Sequence, residues 1–270
     1  MKVFISADME GISGLPNAAM TETDDRDFGR ARELMTADVN AAVEGALAAG
    51  ATQIVVRDAH GTANNLLPEK MPGPAEVIQG WTATGRMMEG IDETFDAALL
   101  IGYHAKSLTP GGTIAHTMTG VVRRLWYNDV EVGESAISAA HAGRFGVPLV
   151  FASGDEALCQ EVLRVISPRM GTAAVKSAYG RQCIRLLALA EAHQRIRDGV
   201  KLALERRAEV APYCPEGPIR LRMRFQTLQQ AEGASRVPTI RRLNDLTVEG
   251  EAADGVAAAD LVCTLYGAAR

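Results

Sequence analysis

A chain of 270 residues with 47% hydrophobic and 23% charged residues has the make-up of an ordinary soluble globular protein. It is long enough for one large α/β domain or for a core with a smaller partner. The net charge of −5 argues against a nucleic-acid surface, and no apolar run reaches the ~18 residues needed to span a membrane.

Met1-Lys2-Val3 runs directly into a strand without the apolar stretch of a secretory leader, so the expected location is the cytoplasm. Cys159, Cys183, Cys214 and Cys263 are widely spaced and form no Cys-x-x-Cys pair. Free thiols are expected, with neither a disulfide framework nor a thiolate zinc site.

The first strand, Val3 to Ala7, ends in Asp8-Met9-Glu10-Gly11. In an extended chain Asp8 and Glu10 project to one side and Met9 to the other. Two acids on one face repel each other unless a cation or a shared proton lies between them. The Gly-rich loop to Asn17 leads to an acidic stretch, Thr21 to Asp25, and then to a helix from Phe28 to Ala49. Its apolar positions Ala31, Leu34, Met35, Val39, Ala42, Val43 and Ala46 recur at helical spacing, and Gly50 stops it. Gln53 to Val56 is a second strand, ending in Arg57-Asp58-Ala59-His60-Gly61. A βαβ unit has parallel strands, so His60 emerges on the same sheet edge as Asp8 and Glu10.

A loop from Thr62 to Pro74 precedes a short strand at 75–80 and a short helix at 84–89. The strong buried strand Phe95 to Gly102 ends in Tyr103-His104, and Gly111-Gly112 feeds a strand expected to carry His116. A hairpin follows around Tyr127-Asn128, then a helix at 135–145 with Glu134 in its first turn, where a carboxylate is favoured. Leu149 to Ala152 is a strand, and Asp155-Glu156 opens a helix to Ile166. Pro168 and Gly171 suggest a boundary. The expected organisation is a Rossmann-like, mostly parallel α/β core over 1–167 and a smaller C-terminal α+β subdomain over 168–270. The latter has a strand at 173–176, a helix at 181–207 and strands near 219–225, 239–241, 246–248 and 261–265. Arg220, Arg222 and Arg224 alternate along one strand and mark a solvated or interface-facing side.

Ligand sites in open α/β sheets lie beyond the carboxyl ends of the strands, where acids and imidazoles now gather. Asp8, Glu10, His60, His104 and Glu134 are the residue types of a mixed N/O zinc site. They outnumber the ligands that one catalytic zinc needs, so two ions sharing a carboxylate are the economical arrangement. Such a pair activates water for amide hydrolysis. The competing readings are Mg²⁺ with phosphate on the paired acids, satisfied polar histidines, and a Glu134 that only complements its helix dipole. Histidine ligands argue against Mg²⁺. His116, near the metals but not needed by them, suits a proton shuttle or oxyanion donor. Asp58 either orients His60 or caps its loop, and Asn65, like Asn64, either meets substrate or shapes a turn. His141 and His193 lie in helices and are expected to be structural.

Ser6-Ala7-Asp8-Met9-Glu10-Gly11-Ile12-Ser13-Gly14, Asp58-Ala59-His60-Gly61, Gly102-Tyr103-His104, His116-Thr117 and Glu131-Val132-Gly133-Glu134 resemble the successive motifs of zinc-dependent D-aminopeptidases of the DppA type. The resemblance implies two zinc ions per subunit held by Asp8, Glu10, His60, His104 and Glu134, with His116 catalytic. It also implies release of N-terminal D-amino acids from short peptides and assembly into a homodecamer. The alternatives are a non-catalytic peptide-binding or transport-associated protein that keeps the site, and a metal-dependent amidase with another acyl substrate.

Overall fold

The computed structural model describes residues 1–82, 84, 86–180 and 183–269. Two sheets organise the chain. Numbered along the chain, the first contains β1 (Lys2–Ala7), β2 (Gln53–Asp58), β3 (Ala75–Ile78), β4 (Ala97–Tyr103), β7 (Leu149–Asp155), β8 (Gly171–Gly180) and β9 (Cys183–Leu186). Its order is β3-β2-β1-β4-β7-β8-β9, parallel except for the β8–β9 pair. β4 is buried along its whole length, as befits a central strand covered on both faces. The order runs outward in opposite directions from β1 and β4. A crevice therefore opens at their carboxyl ends, where the two halves part.

The second sheet, β11-β12-β10-β5-β6, is antiparallel. It contains β5 (Val122–Tyr127), β6 (Val130–Glu131), β10 (Ile219–Phe225), β11 (Arg241–Arg242) and β12 (Thr247–Ala252). Asn128 and Asp129, both at positive φ, make the tight turn of the β5–β6 hairpin. Along β10 the apolar residues Leu221, Met223 and Phe225 are buried, while Arg220 and Arg222 reach out to Asp129.

The helices are α1 (Phe28–Ala48), α2 (Glu134–Arg144), α3 (Glu156–Val165), α4 (Leu189–Glu205), α5 (Leu228–Ala234) and α6 (Gly255–Ala268). α1 packs on α4 over the first sheet, burying the stripe Leu34, Met35, Val39 and Val43. Each such side chain contributes about 1.5–3 kcal/mol. α5 and α6 cover β10 and β12, and α2 packs on both β4 and α6, joining the two units.

The two sheets do not divide the chain at residue 168. β8, β9 and α4 complete the first sheet and its helical cover, while β5 and β6 belong to the second. Pro168 and Gly171 mark a tight α3–β8 connection instead. The expected 181–207 helix begins only at Leu189, because Cys183–Leu186 pairs with β8; Arg181 and Gln182 lie outside the described residues. The 261–265 stretch is helical. Asp254 caps α6 by accepting from the Val256 and Ala257 N–H groups at 3.0 Å, and Ala258, Val262 and Leu265 bury one helical stripe. The described residues of the expected 84–89 helix form turns; Gly85 lies outside them.

Candidate metal centre

β1 stops at Ala7, so Asp8 and Glu10 sit in a turn and not in the extended chain expected from their alternation. Two backbone bonds clamp that turn to the end of β4. The Asp8 N–H donates to the Ile101 carbonyl at 2.8 Å, and the Gly11 N–H to the Gly102 carbonyl at 2.7 Å. The approach is close enough to require glycine. Gly102 has φ +71°, and a Cβ there would overlap the Asp8 carbonyl and lie 2.6 Å from Ile12 Cγ2. Gly102→Ala is expected to cost about 2–3 kcal/mol in urea unfolding, from overpacking added to strain at positive φ. A value below about 1 kcal/mol would show that the clamp gives way easily.

The turn directs both acids at one imidazole. His60 Nδ1 lies 3.2 Å from Asp8 Oδ1 and 3.0 Å from Glu10 Oε2, while its Nε2 is 3.1 Å from the Thr21 carbonyl. A carbonyl can only accept, so Nε2 donates to it, and Nδ1 is the ring nitrogen that faces the carboxylates. His104 repeats the device in mirror fashion. Its Nδ1 donates to the Ala105 carbonyl at 3.0 Å, leaving Nε2 between Asp8 Oδ2 at 3.5 Å and Glu134 Oε1 at 3.4 Å. A bond fixing one ring nitrogen frees the other as a ligand.

Glu134 opens α2, and its Oε1 also accepts the Met118 N–H at 2.6 Å. That bond ties down the loop bearing His116. The loop is no strand, because Ile114 and Met118 have positive φ and only an isolated Thr117–Thr119 bridge forms. His116 donates from Nδ1 to the Ile114 carbonyl at 3.0 Å, stacks on His104 at 4.1 Å, and brings Nε2 within 3.8 Å of Glu134.

Asp58 makes no hydrogen bond to the His60 ring. It accepts from the Asn65 N–H at 2.5 Å, Asn65 Nδ2 at 2.8 Å and the Leu66 N–H at 2.8 Å. Asn65 in turn donates to the His60 carbonyl at 2.7 Å. The pair caps the 60–66 loop, and Asn65 is buried away from the pocket. His141 is buried in α2, where its surroundings push its pKa down to about 4; His193 bonds Asp38.

Two groups within this cluster bring ligand atoms within 4.8 Å of one another: Asp8, Glu10 and His104, and His104, His116 and Glu134. Asp8 Oδ2, Glu10 Oε2 and His104 Nε2 are buried with the imidazoles and carboxylates of the same cluster beside them. Buried polar atoms call for partners, and these three converge on one another. The donors are carboxylate oxygens and imidazole nitrogens, the set that suits zinc. A cationic group fits the cluster. Electrostatics agree: burial and then the Glu10 charge push Asp8 up to about 7. Burial opposes the charged form of His60 and His104, yet the neighbouring carboxylates outweigh it and hold both well above their ordinary value.

Sequence reasoning passed over Lys176. From β8 its ammonium donates to the Glu10 carbonyl at 2.5 Å and the Leu15 carbonyl at 3.3 Å, fixing both ends of the acidic turn from beneath. Burial lowers its pKa to about 8. A lysine closing the apolar run Ala173-Ala174-Val175 was its signal. The Thr21 carbonyl, which orients His60, has no such signal.

The cluster floors an open cavity of about 360 Å³, walled by Met87, Ile114, Met118, Thr21 and Glu22. A parallel-sheet switch point carrying this acid and imidazole set has the make-up of a hydrolytic metal site. The chain matches the D-aminopeptidase family, peptidase M55, over residues 1–263. It is 36% identical over 255 residues to a D-aminopeptidase of Bacillus subtilis (strain 168), covering 94% of this chain and 92% of the relative. It superimposes with a TM-score of 0.96 at 34% identity on the solved Zn-dependent D-aminopeptidase DppA from Bacillus subtilis, described as a self-compartmentalizing protease. That likeness covers 100% of this chain and 98% of the other. The chain belongs to the D-aminopeptidase family, and it is an enzyme of the aminopeptidase class.

Proposed function

We propose that this protein is a binuclear zinc aminopeptidase that releases N-terminal D-amino acids from short peptides or amides, working in the cytoplasm as a homodecamer. The observation that carries the reading is the convergence of Asp8, Glu10, His60, His104 and Glu134 in one buried cluster of carboxylate oxygens and imidazole nitrogens. Those five residues would hold the ions. Bound zinc would polarise the scissile carbonyl and lower the pKa of water.

The chain's own groups do the rest. The Thr21 and Ala105 carbonyls each hold one ring nitrogen of His60 and His104, so that both turn the other nitrogen inward, where its proton would give way to a bound metal. His116, held through Nδ1, lines the cavity with Nε2 free of that bond, where it can take a proton from the nucleophile and return it to the leaving amine. Met87, Ile114 and Met118 give one wall an apolar surface for a small side chain. The complete ligand set disfavours a non-catalytic peptide-binding role. The self-compartmentalizing description of the DppA relative supports the assembly, and native mass measurement tests it.

Chelation is expected to abolish release of D-alanine from D-Ala-D-Ala, and stoichiometric zinc to restore it with two ions per chain by metal analysis. Fewer than one bound transition metal per chain, with no turnover after zinc is restored, would overturn the proposal.

A further inference from the structure

Among the described residues the cavity is lined by four carboxylates and no lysine or arginine. Asp8, Glu10 and Glu134 are buried and engaged with the histidines. Glu22 differs. Its residue is exposed, and its side chain makes no hydrogen bond or ion pair among the described residues.

Its backbone is nevertheless fixed. The Glu22 N–H donates to the Ala19 carbonyl at 3.0 Å, its carbonyl accepts from the Asp25 N–H at 3.0 Å, and Asn17 caps the short turn before it by accepting from Met20. The preceding carbonyl, of Thr21, is the one that accepts from His60. The segment that orients a candidate ligand therefore also carries a free anion on the cavity wall.

A peptide's α-amino group, with a reference pKa near 7.7–8.0, is largely an ammonium at neutral pH. An enzyme confined to N-terminal residues gains selectivity by binding that cation, for which a carboxylate is a strong partner. Resting on the aminopeptidase reading above, we infer that Glu22 receives the substrate's α-ammonium and so restricts the enzyme to free N-termini.

The test compares two ligands of the zinc-loaded protein by calorimetry. One is the ketomethylene isostere of D-Ala-Gly, in which CH₂ replaces the scissile N–H; the other is the same compound without its amino group. Wild type is expected to bind the amine at least about tenfold more tightly. Glu22→Gln should remove that preference while leaving the des-amino ligand unaffected, and Glu22→Asp should retain part of it. For D-Ala-D-Ala, Glu22→Gln should raise KM with kcat little changed.

Equal weakening of both ligands, weakening of neither, or no amine preference in wild type would overturn the inference. A wild type that binds the amine selectively yet never cleaves D-Ala-D-Ala would refute the hydrolase proposal alone, since the binding comparison still reads Glu22.

Discussion

His104→Ala is expected to lose bound metal and at least about a thousandfold in kcat/KM, equivalent to ~4 kcal/mol of transition-state stabilisation. His104 belongs to both candidate ligand groups, and its Nε2 lies between Asp8 and Glu134. Its one free ring nitrogen is shared by the two groups, so removing it disturbs the neighbours of both Asp8 and Glu134, whereas losing His60 affects the Asp8–Glu10 side. The metal-free protein should suffer as well. Asp8, Glu10 and Glu134 are buried, and the imidazoles supply their nearest positive charge. Breaking a buried charge pair costs about 3–5 kcal/mol. Part of this will be recovered because Asp8, already pushed up to about 7, can take a proton. Inductively coupled plasma analysis, steady-state kinetics and urea unfolding of the metal-free protein check the three parts. A variant that keeps its full metal complement and activity within about tenfold of wild type would remove His104 from the centre.

The placement of that residue was readable from the sequence for a physical reason. Three apolar runs, ending at Ala7, Val56 and Gly102, became the parallel neighbours β1, β2 and β4. Parallel strands put all their carboxyl ends on one edge, so the polar residues that follow each run must meet. Glu134 joins them because α2 starts at the same edge, and its contacts with His104 and Met118 follow from its first-turn position.

What escaped was chemistry carried by the backbone or decided by distant packing. The Thr21 and Ala105 carbonyls orient two imidazoles, but every residue has a carbonyl and none is marked in the sequence. Asp8 and Glu10 share a face through a turn clamped at Gly102, although strand alternation gave the same answer for a different reason. The apolar run at 261–265 is compatible with strand or helix over so short a length, and the Asp254 cap with its Ala-rich continuation decided for helix. Lys176 lies far along the chain from the turn it supports, so only the sheet order brings them together.

His116→Ala is expected to behave differently from His104→Ala, although the two rings stack at 4.1 Å. His116 stands further from Glu134, at 3.8 Å, and its side chain is partly exposed at the cavity while that of His104 is buried. Its loss leaves Asp8, Glu10, His60, His104 and Glu134 in place, so metal content should be retained. The rate should fall by about 10²–10⁴, the usual contribution of a positioned acid or base. The size of the fall should depend on the leaving group. An alkyl amine departs only when protonated, whereas p-nitroaniline leaves readily without help. If His116 Nε2 delivers that proton, the variant loses much more activity on D-Ala-D-Ala than on D-alanine p-nitroanilide. If it acts only by stabilising the developing oxyanion, both substrates suffer alike, because both pass through the same charged carbonyl oxygen. Retained metal with an equal loss on the two substrates would therefore exclude the proton-delivery role, and loss of metal would make His116 a ligand.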